Sequence, residues 1–136
     1  MFPRLALIAA ACAVSAAPAA AQDPLAFRSP TGNIHCMIFA DTPAEARCDL
    51  MQSVVTFPRP WNCDLEWARG FAVGAVGPGQ PLCAGDSVAM PGSPVLNYGG
   101  SISHGGFTCR SERTGMTCTN RQGHGFSVAR ARQRVF

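Results

Sequence analysis

The sequence predicts an all-β domain, a small sandwich or open barrel stapled by disulfides, with hairpins at 33–50 and 106–120. Three observations carry that expectation. Past residue 21 the chain holds six cysteines, an even number in a short polypeptide, which reads as three bridges. All 14 glycines and nine of the 11 prolines also lie there, about a fifth of 115 residues, too much punctuation for long helices. Several short runs then alternate apolar and polar residues with a period of two, the signature of half-buried strands.

The first 21 residues stand apart. Arg4 is followed by an apolar stretch from Leu5 to about Ala17, and Ala19 and Ala21 set an A-x-A pattern before Gln22. This is the form of a secretory signal peptide, cleaved after residue 21 and excluded from fold reasoning. The stretch is short of the roughly 20 residues a transmembrane helix needs. Cleavage before Cys12 with lipid attachment is the minor alternative, disfavoured because Ala9 stands where lipoprotein signals usually carry Leu. Residues 22–136 are then one disulfide-bonded β domain of an exported protein, periplasmic or extracellular. Its core is modest for a domain of that size.

"NIHCMIF" (33–39) alternates Ile34, Cys36 and Ile38 against His35, Met37 and Phe39, and "DTPAE" turns the chain into "ARCDL". Setting Cys36 opposite Cys48 aligns Met37 with Arg47 and Ile38 with Ala46. The construction recurs where "GFTCRS" and "MTCTN" flank "ERTG": Cys109 opposite Cys118 pairs Arg110 with Thr117 and Ser111 with Met116. A four-residue loop, 112–115, is left, with Gly115 available for a left-handed turn position. Cross-strand cysteines about 5.5 Å apart at Cα suit a bridge, and Cys63 to Cys83 follows by elimination. A faint echo links "RSPTGNIHC" (28–36) to "RSERTGMTC" (110–118). Between the hairpins, 53–57 reads as a strand, 62–70 as a helical turn or irregular strand, 71–77 as a buried strand, and 94–98 as a short strand in a loop-rich stretch. "FSVARARQRVF" reads as one last strand with Arg130, Arg132 and Arg134 in a row on one face.

Charge is uneven. Residues 22–109 hold four Arg against seven Asp and Glu, about −3; residues 110–136 hold six Arg against Glu112, about +5. The arginine row is therefore the candidate binding surface, since guanidinium groups make bidentate contacts to phosphate or carboxylate. His124, displayed between two glycines in "GMTCTNRQGHGF", joins it as a candidate binding residue. Neither the total charge nor any recognised module supports nucleic-acid binding. No cofactor or metal is indicated: the histidines lack H-x-H or H-x-x-x-H spacing, and bridged cysteines have no thiolate to offer. "GGSISHGGF" lacks the final glycine of G-x-S-x-G, where Ser103 stands. Asp64 and Glu66 as a glycosidase pair lose to ordinary surface acids. Trp61 and Trp67 are expected in the core, with an aromatic platform including Tyr98 as the alternative.

"FRSPTGNIHCMI", "ARCDL", "CAGD", "YGG", "FTCRSERTGMTCTN" and "GHGFSVAR" together resemble a family of small secreted bacterial proteins of unknown function. The resemblance spans most of 27–136. It implies an exported, cysteine-bridged domain and no activity. The functional expectation is a non-catalytic exported module binding an anionic envelope component or a protein. The alternative is an inhibitor of an exogenous hydrolase, a lysozyme or protease, acting through loop 99–106 or 120–125. A small hydrolase or metalloenzyme using His104 and His124 ranks third.

Overall fold

Antiparallel strands need only short turns between neighbours, and along this chain every strand but the fifth pairs with the next. The computed structural model describes residues 1, 3, 9–16 and 24–136. The expected cleavage point after Ala21 lies outside the described residues, and Cys12 is an exposed free cysteine. Strands β1 (Leu25–Arg28), β2 (Ile34–Phe39), β3 (Glu45–Leu50), β4 (Glu66–Gly74) and β5 (Gln80–Ala84) form one sheet in chain order. Strands β6 (Ser101–His104), β7 (Phe107–Glu112), β8 (Gly115–Thr119), β9 (Gly125–Val128) and β10 (Gln133–Val135) form a second five-stranded meander. Every pairing within the sheets is antiparallel, and the two sheets are not closed into a barrel. Among the described residues there is no helix, and so none long and apolar enough to cross a membrane.

Each sheet carries one transverse row of inward side chains through its middle. In the first sheet the register aligns Phe27, Cys36, Cys48 and Phe71; in the second it aligns Ile102, Cys109, Cys118, Phe126 and Val135. All belong to, or pack against, one apolar cluster between the sheets. Cys36–Cys48 and Cys109–Cys118 are cross-strand bridges within these rows, and Cys63–Cys83 ties the β3–β4 connection to β5. The two central bridges meet: Cys48 Sγ lies 3.6 Å from Cys118 Sγ, and all four half-cystines are buried. Sulfur occupies the centre of the core, where a domain this small has few large side chains to spend.

The outer faces differ. Segment 85–96 crosses the outside of the first sheet; Val95 forms a parallel bridge with Arg28, and the Arg28 Nε–H donates to the Ser93 carbonyl over 2.9 Å. Beneath it His35, Arg47 and Asp49 are buried. The second sheet is uncovered. Its outer face presents Ser101, Arg110, Thr117, Ser127 and Arg134 in one cross-strand row, with Ser103 and Thr108 hydrogen-bonded beside it at 3.0 Å.

Both hairpins and all three bridges match the sequence reading; the ladder of the second runs on to Glu112 and Gly115, leaving a loop of only Arg113 and Thr114. Four local expectations are corrected. Residues 53–57 form no strand: Val54 donates one backbone hydrogen bond, to the Arg130 carbonyl, and has no strand neighbour. The buried strand expected over 71–77 ends at Gly74 and begins earlier, at Glu66, so the helical alternative for 62–70 fails. Stretch 94–98 contributes only the Val95 bridge. The C-terminal alternation is not one strand, because the chain reverses between Val128 and Gln133, with Ala129 and Arg132 exchanging backbone hydrogen bonds across the turn. The arginine row is thereby broken.

Candidate functional site: a basic groove at one end of the sandwich

Turns in an antiparallel meander fall alternately at its two ends. One end gathers turn 29–33, the start of connection 51–65, and turns 113–114 and 129–132. Between them lies an open groove of about 510 Å³. Ile34 and Met116 lie buried beneath it, Ser29 and Ser111 stand beside them, and Met51 and Tyr98 supply its accessible apolar surface.

The walls are braced. Asn33 and Gln52 are doubly bonded: Asn33 Nδ2 donates to the Gln52 carbonyl over 3.0 Å, and the Gln52 N–H donates to Asn33 Oδ1 over 2.8 Å. The Ile34 N–H donates to Ser29 Oγ. Tyr98 is positioned because the next residue, Gly99, donates its N–H to the Ser111 carbonyl over 2.7 Å. The Arg113 guanidinium lies 4.9 Å from the Tyr98 ring centre, a cation–π contact. Arg130 enters from the opposite turn, whose carbonyl is held by the Val54 N–H.

Electrostatics make this groove cationic. Glu112 is engaged by Arg110 at 2.7 Å. Among the described residues neither Arg113 nor Arg130 has a carboxylate partner. Arg113 and Arg130 thus line an open concavity together with the paired Glu112, a net basic arrangement suited to phosphate or carboxylate.

A second, smaller cavity of about 280 Å³ lies on the covered face of the first sheet, around Arg47, Asp49 and Asp86. Arg47 Nε and Nη2 donate to Asp49 over 2.8 and 3.0 Å, and Nη1 donates to Asp86 over 3.1 Å. Asp49 also accepts the Val88 N–H, pinning segment 85–96. Gly70 makes room, since a Cβ there would lie 2.5 Å from Asp49 Oδ1. Burial alone would lower the proton affinity of the Arg47 guanidinium; hydrogen bonds and charge from Asp49 and Asp86 outweigh it and raise the pKa. Burial raises the Glu45 carboxyl above its usual range, against the pull of Arg47 and with the help of Asp49 and Asp86. This network is internally satisfied and serves the fold.

The four residues expected to bind do not form one site. Arg130 lines the groove and Arg132 stands exposed on the same turn. Arg134 lies on β10, 4.5 Å from the Phe136 ring centre. His124 is at the opposite end, in a turn organised by Asn120, whose Oδ1 accepts the N–H groups of Gln122 and His124. Asn120 Nδ2 donates to the carbonyls of Gly74 and Gly77, so that turn joins the two sheets. Gly125 has no room for a side chain, as a Cβ would run into the Cys118 carbonyl. Of the expected inhibitory loops, 99–106 is built around strand β6, and 120–125 is the turn bonded through Asn120 that leads into β9. Among the described residues the one cluster of three potential metal ligands is Cys36, Cys48 and Cys118, whose sulfurs are engaged in bridges. Sequence reasoning missed Arg113 and Tyr98 as groove residues. A signal for Arg113 was present in "ERTG", which sets a basic side chain at a hairpin tip.

These features define a class: an all-β sandwich of two five-stranded meanders, stapled by three disulfides, with a basic groove at one end. The chain belongs to a family of unknown function, DUF6636, whose model matches residues 6–136. No curated protein and no solved structure matches it.

Proposed function

We propose that the protein is an exported, non-catalytic binding domain, and that its groove takes an anionic component of the bacterial envelope. Three disulfides suit an oxidising, extracellular-type compartment, and the N-terminal leader pattern supports export to it. The observation that carries the reading is the pair Arg113 and Arg130, both lining an open groove and, among the described residues, without a carboxylate partner. Guanidinium contacts to a phosphate are charge-assisted and worth about 1.5 kcal/mol or more each.

Co-sedimentation with phosphatidylglycerol vesicles, against neutral phosphatidylcholine vesicles, tests it. The double variant R113A/R130A should bind anionic vesicles at least roughly 100-fold more weakly, from two such contacts. R134A, on the outer face of β10, should bind as the parent does. Equal retention of parent and double variant would remove the groove from consideration.

A further inference from the structure

Of the two tryptophans, one behaves as expected and one does not. Trp67 is half-buried against the core and donates its Nε1–H to the Phe57 carbonyl over 3.0 Å. Trp61 is 96 % exposed. Small domains seldom leave so large an apolar side chain in water without a use for it, and tryptophan is the residue most enriched at binding hot spots.

The ring is displayed on a fixed mount. Pro60 to Cys63 close a turn, with the Cys63 N–H donating to the Pro60 carbonyl over 3.2 Å. Arg59 donates to the carbonyls of Cys63 and Leu65 over 2.9 and 2.8 Å, and Cys63 is bridged to Cys83. Little backbone freedom remains to be lost on association. Val54 and Leu65, 60 % and 53 % exposed, extend the apolar character of this connection. The charge of Arg59 is directed inward onto carbonyls, whereas Asp64 is exposed and has no cationic partner among the described residues. The knob is thus an indole accompanied by a carboxylate.

The same molecule carries the complementary shape. The basic groove offers accessible apolar surface at Met51 and Tyr98, and of its charged lining Glu112 is paired with Arg110 while, among the described residues, Arg113 and Arg130 have no carboxylate partner. Its 510 Å³ falls within the roughly 300–1,000 Å³ of sites that enclose a ring-bearing ligand. Arginine planes stack on indole, and methionine sulfur packs against aromatic rings. Met51 and Gln52, which line the groove, open the connection that bears Trp61, so knob and groove are neighbours along the chain.

We infer that a second copy of this chain docks on this end: Trp61 of each copy enters the groove of the other, and Asp64 faces Arg130 and Arg113. A twofold axis lets both knobs engage at once, as an isologous dimer requires. This rests on the shape and charge of the groove and not on the envelope ligand proposed above, with which the docked copy competes, so the dimer is the ligand-free form.

Sedimentation equilibrium of the natively purified protein, from about 1 μM to about 1 mM in the absence of any anion ligand, tests it across the range of weak interfaces. A monomer–dimer equilibrium is expected, with W61A raising its dissociation constant at least roughly 30-fold. D64R and R130D should each weaken it, and the combined D64R/R130D chain should recover most of the loss. Since Trp61 and Asp64 are exposed, these variants keep the fold. A monomer at every concentration, or a dimer indifferent to W61A, overturns the inference. Loss with W61A but no recovery in the charge swap overturns the groove as the docking site. Trp61 fluorescence shifting on neutral phosphatidylcholine vesicles while the protein stays monomeric assigns the knob to a membrane instead and overturns it equally.

Discussion

The two sheets are built alike and finished differently. Each is a five-stranded antiparallel meander with a cross-strand cystine in its central row. The second sheet keeps a clean alternation, with β7 buried at Phe107, Cys109 and Ser111 and exposed between them. In the first sheet β3 is buried from Ala46 through Leu50 on both faces, because segment 85–96 lies across its outside. One design therefore yields two surfaces: a covered face that must pair its charges internally, and an open face on which hydroxyls meet water. Covering a polar face demands the Arg47, Asp49 and Asp86 network; leaving it bare demands nothing of the kind.

The sharpest way to probe that comparison is to remove what the sheets share. C36A/C48A and C109A/C118A should each destabilise the protein by about 3 kcal/mol in urea unfolding. The bridges close sequence separations of 12 and 9, so their losses should agree within about 0.5 kcal/mol. Unequal losses would show that one sheet carries the fold. The next largest effect separates the sheets. D49A should cost about 2 kcal/mol, less than the roughly 3–5 kcal/mol of a fully orphaned buried charge, because Asp86 still faces Arg47. On the open face S127A removes a 2.9 Å hydroxyl contact with Thr117 and should cost less than about 1 kcal/mol. If S127A matched D49A, the contrast between covered and open faces would fail.

The smallest effect is one of pH. The Glu45 carboxyl is raised above its ordinary 4.5 in the folded protein, first by burial. The native state then holds this proton more tightly than the unfolded chain. Its contribution to stability is full below about pH 4.5 and is lost as pH rises through the folded value. The stability of the parent relative to E45Q should therefore decline as pH climbs from about 4 to about 7. A rising difference would reverse the assigned cause.

What could be read from the sequence followed the same division of covered and open surfaces. Cystines placed directly across a ladder fix register as well as pairing, so Met37 opposite Arg47 and Arg110 opposite Thr117 were both legible. The end of the chain was not, because "VARARQ" keeps its alternation through a reversal that contains neither glycine nor proline. Residues 53–57 have the β-branched composition of a strand, but pairing is a property of neighbours, and the contacts of Val54 and Thr56 with Arg130 and Gln133 do not repeat into a ladder. Trp61 defeated the expectation of a core residue for a related reason: Arg59 and the Cys63–Cys83 bridge dictate its direction, and its own hydrophobicity does not. The groove was half visible. Arg130 was singled out on the wrong geometry, while Arg113 and Tyr98 become partners only when two distant turns meet.

The approach of Cys48 to Cys118 has a kinetic meaning. Because the four sulfurs are sealed between the sheets, no reagent reaches them until the layers part. Alkylation of these positions under a mild reductant will therefore keep time with the global opening of the sandwich.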